Sequence, residues 1–393
     1  MGPPLRLLGA CDYYGSGSCG GSERVAHEVY RRLARWGDEV TVVAAAPGAT
    51  FSTAVHDGVT VVGIPAFDLS RLVGAQLAFA PRLRARVGQV LDRQRPDVVH
   101  ANSIHFHGSV VAARLAPRAG LPLVTTAHVG PTGPLPGRLR MATEAYERLV
   151  GSRILGRSSH VVAVSESVAR HVVGLGLGPD KVTVVPNGVD AERFHPSPER
   201  PVPDGPPHVL FVGRLIANKG PDLLLDAVAG LVGRGVEVRA TFVGDGPMRA
   251  ALRRSVERLD LGGRVVFTGP VDDVADRLRD ADVLVRPSYT EGMPLAVLEA
   301  MASGVCVVAS GIPGNAEVVD HGRTGLLFPP GDAVALETAL ATVLADAGLR
   351  RRLARAALDV AGEYTWDATA RATREVLQSV AAVAGAGRPG AQR

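Results

Sequence analysis

At 393 residues, 46% of them hydrophobic and 21% charged, the chain is longer than one core usually supports and too apolar to be disordered. Its net charge of +4 is too small to argue for nucleic acid as a partner, and no apolar run approaches the roughly 18–20 residues of a membrane span. The cysteines, Cys11, Cys19 and Cys306, form neither a disulfide framework nor a metal spacing, and the first residues lack the layout of a signal peptide, so a cytoplasmic protein is expected.

Residues 5–10 read as a first strand, followed by a glycine-rich loop and a helix over 22–36 with Val25, Val29 and Leu33 at helical spacing. Buried strands follow at 40–45 and 59–64, then an arginine-studded helix over 81–95 and strands at 98–101, 123–127 and 161–164. Residues 196–207 break the rhythm with six prolines and read as a linker. The alternation then restarts, with strands at 208–212, 238–243, 264–267, 282–286, 305–309 and 325–328. Short apolar strands alternating with helices predict an α/β protein with two Rossmann-like domains, parallel sheets and ligands at the C-terminal strand ends, in a central cleft. The expected boundaries are an N-terminal domain at 1–195, the linker at 196–207, a C-terminal domain at 208–365 and a closing helix at 366–383. Residues 384–393 read as a frayed tail.

The segment EGMPLAVLEAMASG (291–304) sets Glu291 and Glu299 eight residues apart, about 12 Å along a helix axis rising 1.5 Å per residue. That is too far for an acid and base acting on one bond. Between the two acids, the N–H groups around Met293, Pro294 and Leu295 form a helix start, which attracts anions. Acid, anion site, acid matches the sugar hydroxyls, diphosphate and ribose hydroxyls of a nucleotide-sugar.

In GRLIANKG (213–220), Arg214 and Lys219 lie on a strand-to-helix loop, and Gly213 and Gly220 permit tight backbone paths. Of 43 lysines and arginines only Lys181 and Lys219 are lysine, so a lysine kept at this position stands out as a point charge for a diphosphate. His128 closes the strand 123–127, where it faces the ligand end of the sheet. His105 and His107 have no third ligand in register, and a metal is rejected. Asp280 and Asp282 form an Asp-x-Asp, but at a helix end and strand start, the wrong end of the sheet for a metal-bound diphosphate.

These segments resemble glycosyltransferase family 4, the retaining enzymes with the GT-B fold, and the resemblance runs from the loop at 15–21 to the helix near 366–382. It implies that Glu291 and His128 hold the transferred sugar and that Arg214 and Lys219 clamp the diphosphate. It also implies that Glu299 binds the ribose and that Gly244, Asp245 and Thr268 line the nucleotide pocket. Gly20 and Gly21 match the family's glycine pair, and Asn187, in VVPNGVD, its cleft-facing turn. Many relatives carry Phe-Gly where this chain has Met293-Pro294. The implied activity is metal-independent transfer of a hexosyl group from a nucleotide-sugar, UDP favoured over GDP, with no cofactor. The acceptor is a glycan, a lipid-linked molecule or a natural product. A sugar-nucleotide epimerase or hydrolase of the same fold needs an acid or base pair near the anomeric carbon, which is not found. A silent binding subunit is expected to have lost Glu291, Lys219 or His128, and all are present. Arginines at 82–95 and 138–157 allow a peripheral contact with the inner face of the cytoplasmic membrane.

Overall fold

The computed structural model describes residues 3–14, 20–47, 50–68, 78–133, 135, 137–197 and 205–386. It divides into two compact units, one of residues 1–129, 141–187 and 366–393, the other of 130–140 and 188–365. This differs from the expected boundaries: the division falls after Asn187 rather than at the proline-rich segment, and 130–140 groups with the second unit. Residues 198–204 of the expected linker, 15–19 of the glycine loop, with Cys19, and 387–393 of the expected tail lie outside the described residues.

The first unit is built on strands β1 (Arg6–Cys11), β2 (Glu39–Pro47), β3 (Ser52–His56), β4 (Val59–Asp68), β5 (Ala78–Phe79), β6 (Val98–Ala101), β7 (Leu123–Ala127), β8 (His160–Ala163) and β9 (Val182–Val184). Their order is β3-β4-β2-β1-β6-β7-β8-β9, with β5 also on β4. The pairs are parallel except β3–β4 and β4–β5, which are antiparallel. Strands β6 and β7 are buried on both faces, their polar His100, Thr125 and Thr126 included. The short edge strand β3 and β5 were not expected. Every residue of β3 is exposed, so it carries no alternation to read.

Helix α1 (Gly21–Arg35) buries Val25, Ala26, Val29, Tyr30 and Leu33 on one face and ends at Trp36, before Gly37 at φ 91°. Each large apolar side chain buried this way contributes about 1.5–3 kcal/mol. The last helix of the chain, Trp366–Ala386, belongs to this unit and runs on to Ala386, where a tail was expected from 384. Its Arg374 places Nε 2.7 Å and Nη2 2.8 Å from the two carboxylate oxygens of Asp38, whose Oδ1 also accepts the N–H of Leu5 at 2.9 Å. Arg32 of α1 adds a bond to Asp367 at 2.6 Å.

The second unit carries β10 (His208–Val212), β11 (Arg239–Val243), β12 (Val265–Gly269), β13 (Val283–Arg286), β14 (Cys306–Ser310) and β15 (Leu326–Phe328), all parallel in the order β12-β11-β10-β13-β14-β15. This is the doubly wound order, in which the winding reverses between β10 and β13. Its core holds Val209, Phe211, Leu224, Phe242, Val283, Val308 and Leu340, none more than 1% exposed. The rings of Phe211, Phe242 and Phe267 pack in series at 5.6 and 5.0 Å. In the first unit the winding reverses likewise between β1 and β6.

Candidate active site

The loops that leave β10 and β13, on either side of the second sheet's reversal, come together. The loop after β10 makes a short 3-10 turn, Ala217–Lys219, and Gly220 then turns left-handed at φ 62° before a helix that begins at Pro221. A Cβ on Gly220 would sit 2.2 Å from the carbonyl oxygen of Pro287, so only glycine lets the two loops touch. Tyr289 N–H donates to Asn218 O at 2.9 Å and joins them further.

Across this contact Lys219 Nζ lies 2.9 Å from both carboxylate oxygens of Glu291. Arg286, which ends β13, donates to Glu291 Oε1 from Nε at 2.8 Å, with Nη2 at 2.6 Å, and its Nη1 donates to Val212 O at 2.7 Å. Ser288 Oγ donates to the same Oε1 at 2.7 Å. Burial pushes the Glu291 carboxyl up, but Arg286, Lys219 and Ser288 outweigh it and hold it at about 2. Burial lowers Lys219 to about 8, with Glu291 pulling against Arg286 and Arg214. The site is therefore two cations on one carboxylate, with the exposed Arg214 near enough to be felt.

The 12 Å helical spacing does not describe this segment. Glu291 lies in a loop, and the helix spans Leu295–Ala302, with Pro294 as its N-cap rather than its first residue. Pro294 O accepts from the N–H groups of Val297 and Leu298, so the N–H groups of Leu295 and Ala296 belong to the first turn, whose donors have no intrahelical acceptor. Met293, Pro294 and Glu299 are buried. The Glu291 loop is braced from behind. Ser310 Oγ donates to Ser288 O, and the fully buried Asn315 donates to Ser310 O at 2.9 Å. A Cβ on Gly314 would lie 2.5 Å from Glu291 O.

Gly244, Asp245 and Thr268 cluster at the neighbouring strand ends. Gly244 N–H donates to Gly269 O at 2.9 Å, Leu215 N–H to Asp245 O at 2.9 Å, and Thr268 Oγ1 to Gly269 O at 2.8 Å. Asp280 and Asp282 sit at the opposite end of the sheet. Asp282 accepts His208 N–H at 2.8 Å, and the Asp280 carbonyl lies 3.1 Å from His208 Nδ1. Among the described residues no three His, Cys, Asp or Glu side chains converge as metal ligands do.

In the first unit the reversal gathers a second polar cluster. His128, just past β7, places Nε2 3.1 Å from Asn102 Oδ1, and Asn102 Nδ2 donates to Ser22 O at 2.9 Å, in the first turn after Gly20 and Gly21. His100 bridges Tyr30 Oη and Thr126 Oγ1 at 2.7 Å each. Beside these, Asn187 is buried and lines a cavity of about 10 Å³ with Asn102, Thr126 and Thr373, room for about one water. Asp12 caps the helix His107–Leu115, accepting from Gly108 N at 2.7 Å and His107 N at 3.0 Å. His105 and His171 each place Nε2 3.1 Å from one oxygen of Glu147.

Arg286 and Asn102 were not among the expected site residues. A signal for Arg286 was present: an arginine closing an otherwise apolar buried strand needs a buried counter-ion. Asn102 stands in the stretch 100–108 among three histidines, and no spacing there marks it out.

The pattern described as Glycosyl transferases group 1 matches residues 194–360, and that described as Glycosyltransferase Family 4 matches residues 19–193. D-inositol 3-phosphate glycosyltransferase 2 of Catenulispora acidiphila is 33% identical over 390 residues, covering 92% of this chain and 90% of that protein. Glycogen synthase of Mycobacterium tuberculosis is 30% identical over 393 residues, covering 95% and 94%. The crystal structure of Anabaena HepE in complex with UDP-glucose has the same fold, with a TM-score of 0.75 at 23% identity, covering 95% of this chain and 100% of that one.

Proposed function

The chain belongs to glycosyltransferase family 4 and has the GT-B fold, and we propose that it moves a hexosyl group from a UDP-sugar with retention at the anomeric carbon and without a metal. The observation that carries this reading is the Lys219–Glu291 pair at the reversal of the second sheet, beside the first turn of the helix Leu295–Ala302. In it, the anomeric C–O bond to the diphosphate breaks and the electron pair leaves with the diphosphate. The acceptor hydroxyl bonds to the anomeric carbon from the same face, and its proton passes to a phosphate oxygen. Lys219, Arg214 and the N–H groups of Leu295 and Ala296 answer the charge that builds on the leaving group. Glu291 and His128 hold hydroxyls of the transferred sugar, and Glu299 accepts from the ribose. UDP is favoured because HepE, of like fold, is solved with UDP-glucose.

Titration calorimetry with UDP- and GDP-sugars, with and without EDTA, on wild type and Glu299→Ala tests the donor. Micromolar binding of one nucleotide, unchanged by EDTA and lost in the variant, is expected. No binding of any sugar nucleotide sinks the reading. Proton NMR of the product's anomeric centre reads retention directly.

For the acceptor, the exposed Met141, Arg148, Leu149 and Arg153 support a contact with an anionic lipid surface and hence a lipid-linked acceptor. Co-sedimentation with phosphatidylglycerol vesicles at low and high salt tests it, and no sedimentation at low salt removes this acceptor class.

No helix among the described residues is long and apolar enough to cross a membrane.

A further inference from the structure

We propose that Arg286 is a positioning residue for the transfer: it takes over Oε1 of Glu291, so that Oε2 and the Lys219 ammonium are left to serve the sugar nucleotide. The inference rests on the transferase reading above and adds to it a division of the carboxylate. Oε1 receives Lys219 Nζ at 2.9 Å, Arg286 Nε at 2.8 Å and Ser288 Oγ at 2.7 Å, with Arg286 Nη2 at 2.6 Å. Among the described residues, Oε2 receives only Lys219, at 2.9 Å. Its remaining lone pair suits a sugar hydroxyl.

The two cations differ in what they can do. The guanidinium is anchored at both ends, to Oε1 and, through Nη1 at 2.7 Å, to Val212 O, by a planar fork of fixed donors. The ammonium sits on a flexible stem with three donors that can be redirected. If Lys219 were the only counter-ion, turning it toward a phosphate would strand a buried carboxylate. With Arg286 in place, the lysine can be shared with the diphosphate while Glu291 stays ionised and oriented. Arg286 also fills the space under the loop after β10, since a Cβ on Gly213 would lie 2.7 Å from its Nη1. One side chain therefore sets the positions of both loops. The depressed Lys219, at about 8, agrees with this: burial lowers it first, and Arg286 adds to the lowering while Glu291 opposes it.

The test uses the scarcity of lysine. With only Lys181 and Lys219 in the chain, 13C-lysine labelling gives two side-chain signals, assigned by Lys181→Arg. The Lys219 midpoint is followed by NMR in wild type, Arg286→Met and Arg286→Lys, beside the pH profile of kcat/KM for UDP-sugar turnover. In Arg286→Met the Lys219 midpoint is expected to rise by about one unit as a like charge leaves. The acid limb of the profile should move up as Glu291 loses its strongest partner, and turnover should fall about 30-fold or more. Arg286→Lys should recover part of the rate and most of the midpoint. Should Arg286→Met fail to fold, Arg286→Gln, which loses the charge and keeps an amide donor, carries the same expectation. An unmoved Lys219 midpoint, or a rate loss with an unmoved pH profile, in an enzyme whose wild type is active overturns the proposal. A wild type that binds no sugar nucleotide, while the midpoint still shifts in the variant, overturns the transferase reading instead.

Discussion

His128 is held by Asn102 through both its side chain, Nε2 lying 3.1 Å from Oδ1, and its backbone. Asn102 commits its N–H to Ser22 O, so its oxygen faces the ring. Asn102→Ala is expected to lower kcat/KM about 10–100-fold while circular dichroism stays unchanged. An unaltered kcat/KM means that the ring is held by something else.

Glu299 is buried on the helix after the Glu291 loop, where a shape-preserving change separates charge from packing. Glu299→Gln is expected to weaken nucleotide binding about 10–100-fold, through the lost charge-assisted hydrogen bonds, with a small change in Tm. Calorimetry with UDP reads the first and a melt reads the second. Equal UDP affinity in the variant excludes Glu299 from the ribose.

Acid stability follows from the first unit's buried polar groups. Burial holds His100 at about 4, and burial together with His100 holds His128 at about 3, both below the ordinary 6.5. As pH falls through 6.5 the unfolded chain takes protons that these folded imidazoles refuse, so stability drops. Asp12 acts oppositely: burial raises it to about 6, against the N–H bonds of Gly108 and His107, and the folded state takes that proton first. Two histidines against one carboxyl leave about one proton, or about 1.4 kcal/mol lost per pH unit between pH 6 and 4.5. The lowered His27, His107, His160 and His208 add in the same sense. Urea unfolding at several pH values measures the slope. Asp12→Asn should steepen it, and a rise in stability on acidification contradicts the assignment.

The loop contact predicts two sensitive glycines. Gly220→Ala places a methyl against Pro287 O in a left-handed backbone, and a loss of about 1–3 kcal/mol in urea unfolding is expected. Gly314→Ala pushes on Glu291 O and should reduce turnover by more than its stability loss explains. Wild-type kinetics in Gly314→Ala argue against a tightly placed Glu291 loop.

Most of the sheet architecture was legible because strands buried on both faces cannot hide. His208–Val212 and Leu123–Ala127 are mostly apolar stretches between turn signals, and they begin and end where expected. What escaped was whatever breaks that link between burial and sequence. Ser52–His56 pairs through its backbone while every side chain stays wet. The helix start around Met293–Leu295 was expected to carry on from Glu291, but the ψ of 106° at Pro294 makes that residue a cap and leaves Glu291 in the loop before it. Arg286 closes an apolar strand and so calls for a counter-ion, but which carboxylate answers it is settled only where the loop carrying Glu291 folds back onto it. The candidate residues Lys219 and Glu291 could be named from the chain, whereas their mutual grip needed the contact of two loops 72 residues apart.

The closing helix has a consequence in time. Strands and helices of the first unit lie before Asn187, yet the helix Trp366–Ala386 that covers α1, with Ala370 and Leu377 buried in it, belongs to the same unit. A ribosome adding roughly 5–20 residues per second leaves about 10–40 s between them. Through that interval, while residues 188–365 of the second unit are being added, the nascent chain carries an uncovered apolar seam and an Asp38 still awaiting its arginine. The half of the protein that is begun first is thus the last to be finished, and a nascent-chain chaperone has its longest opportunity there.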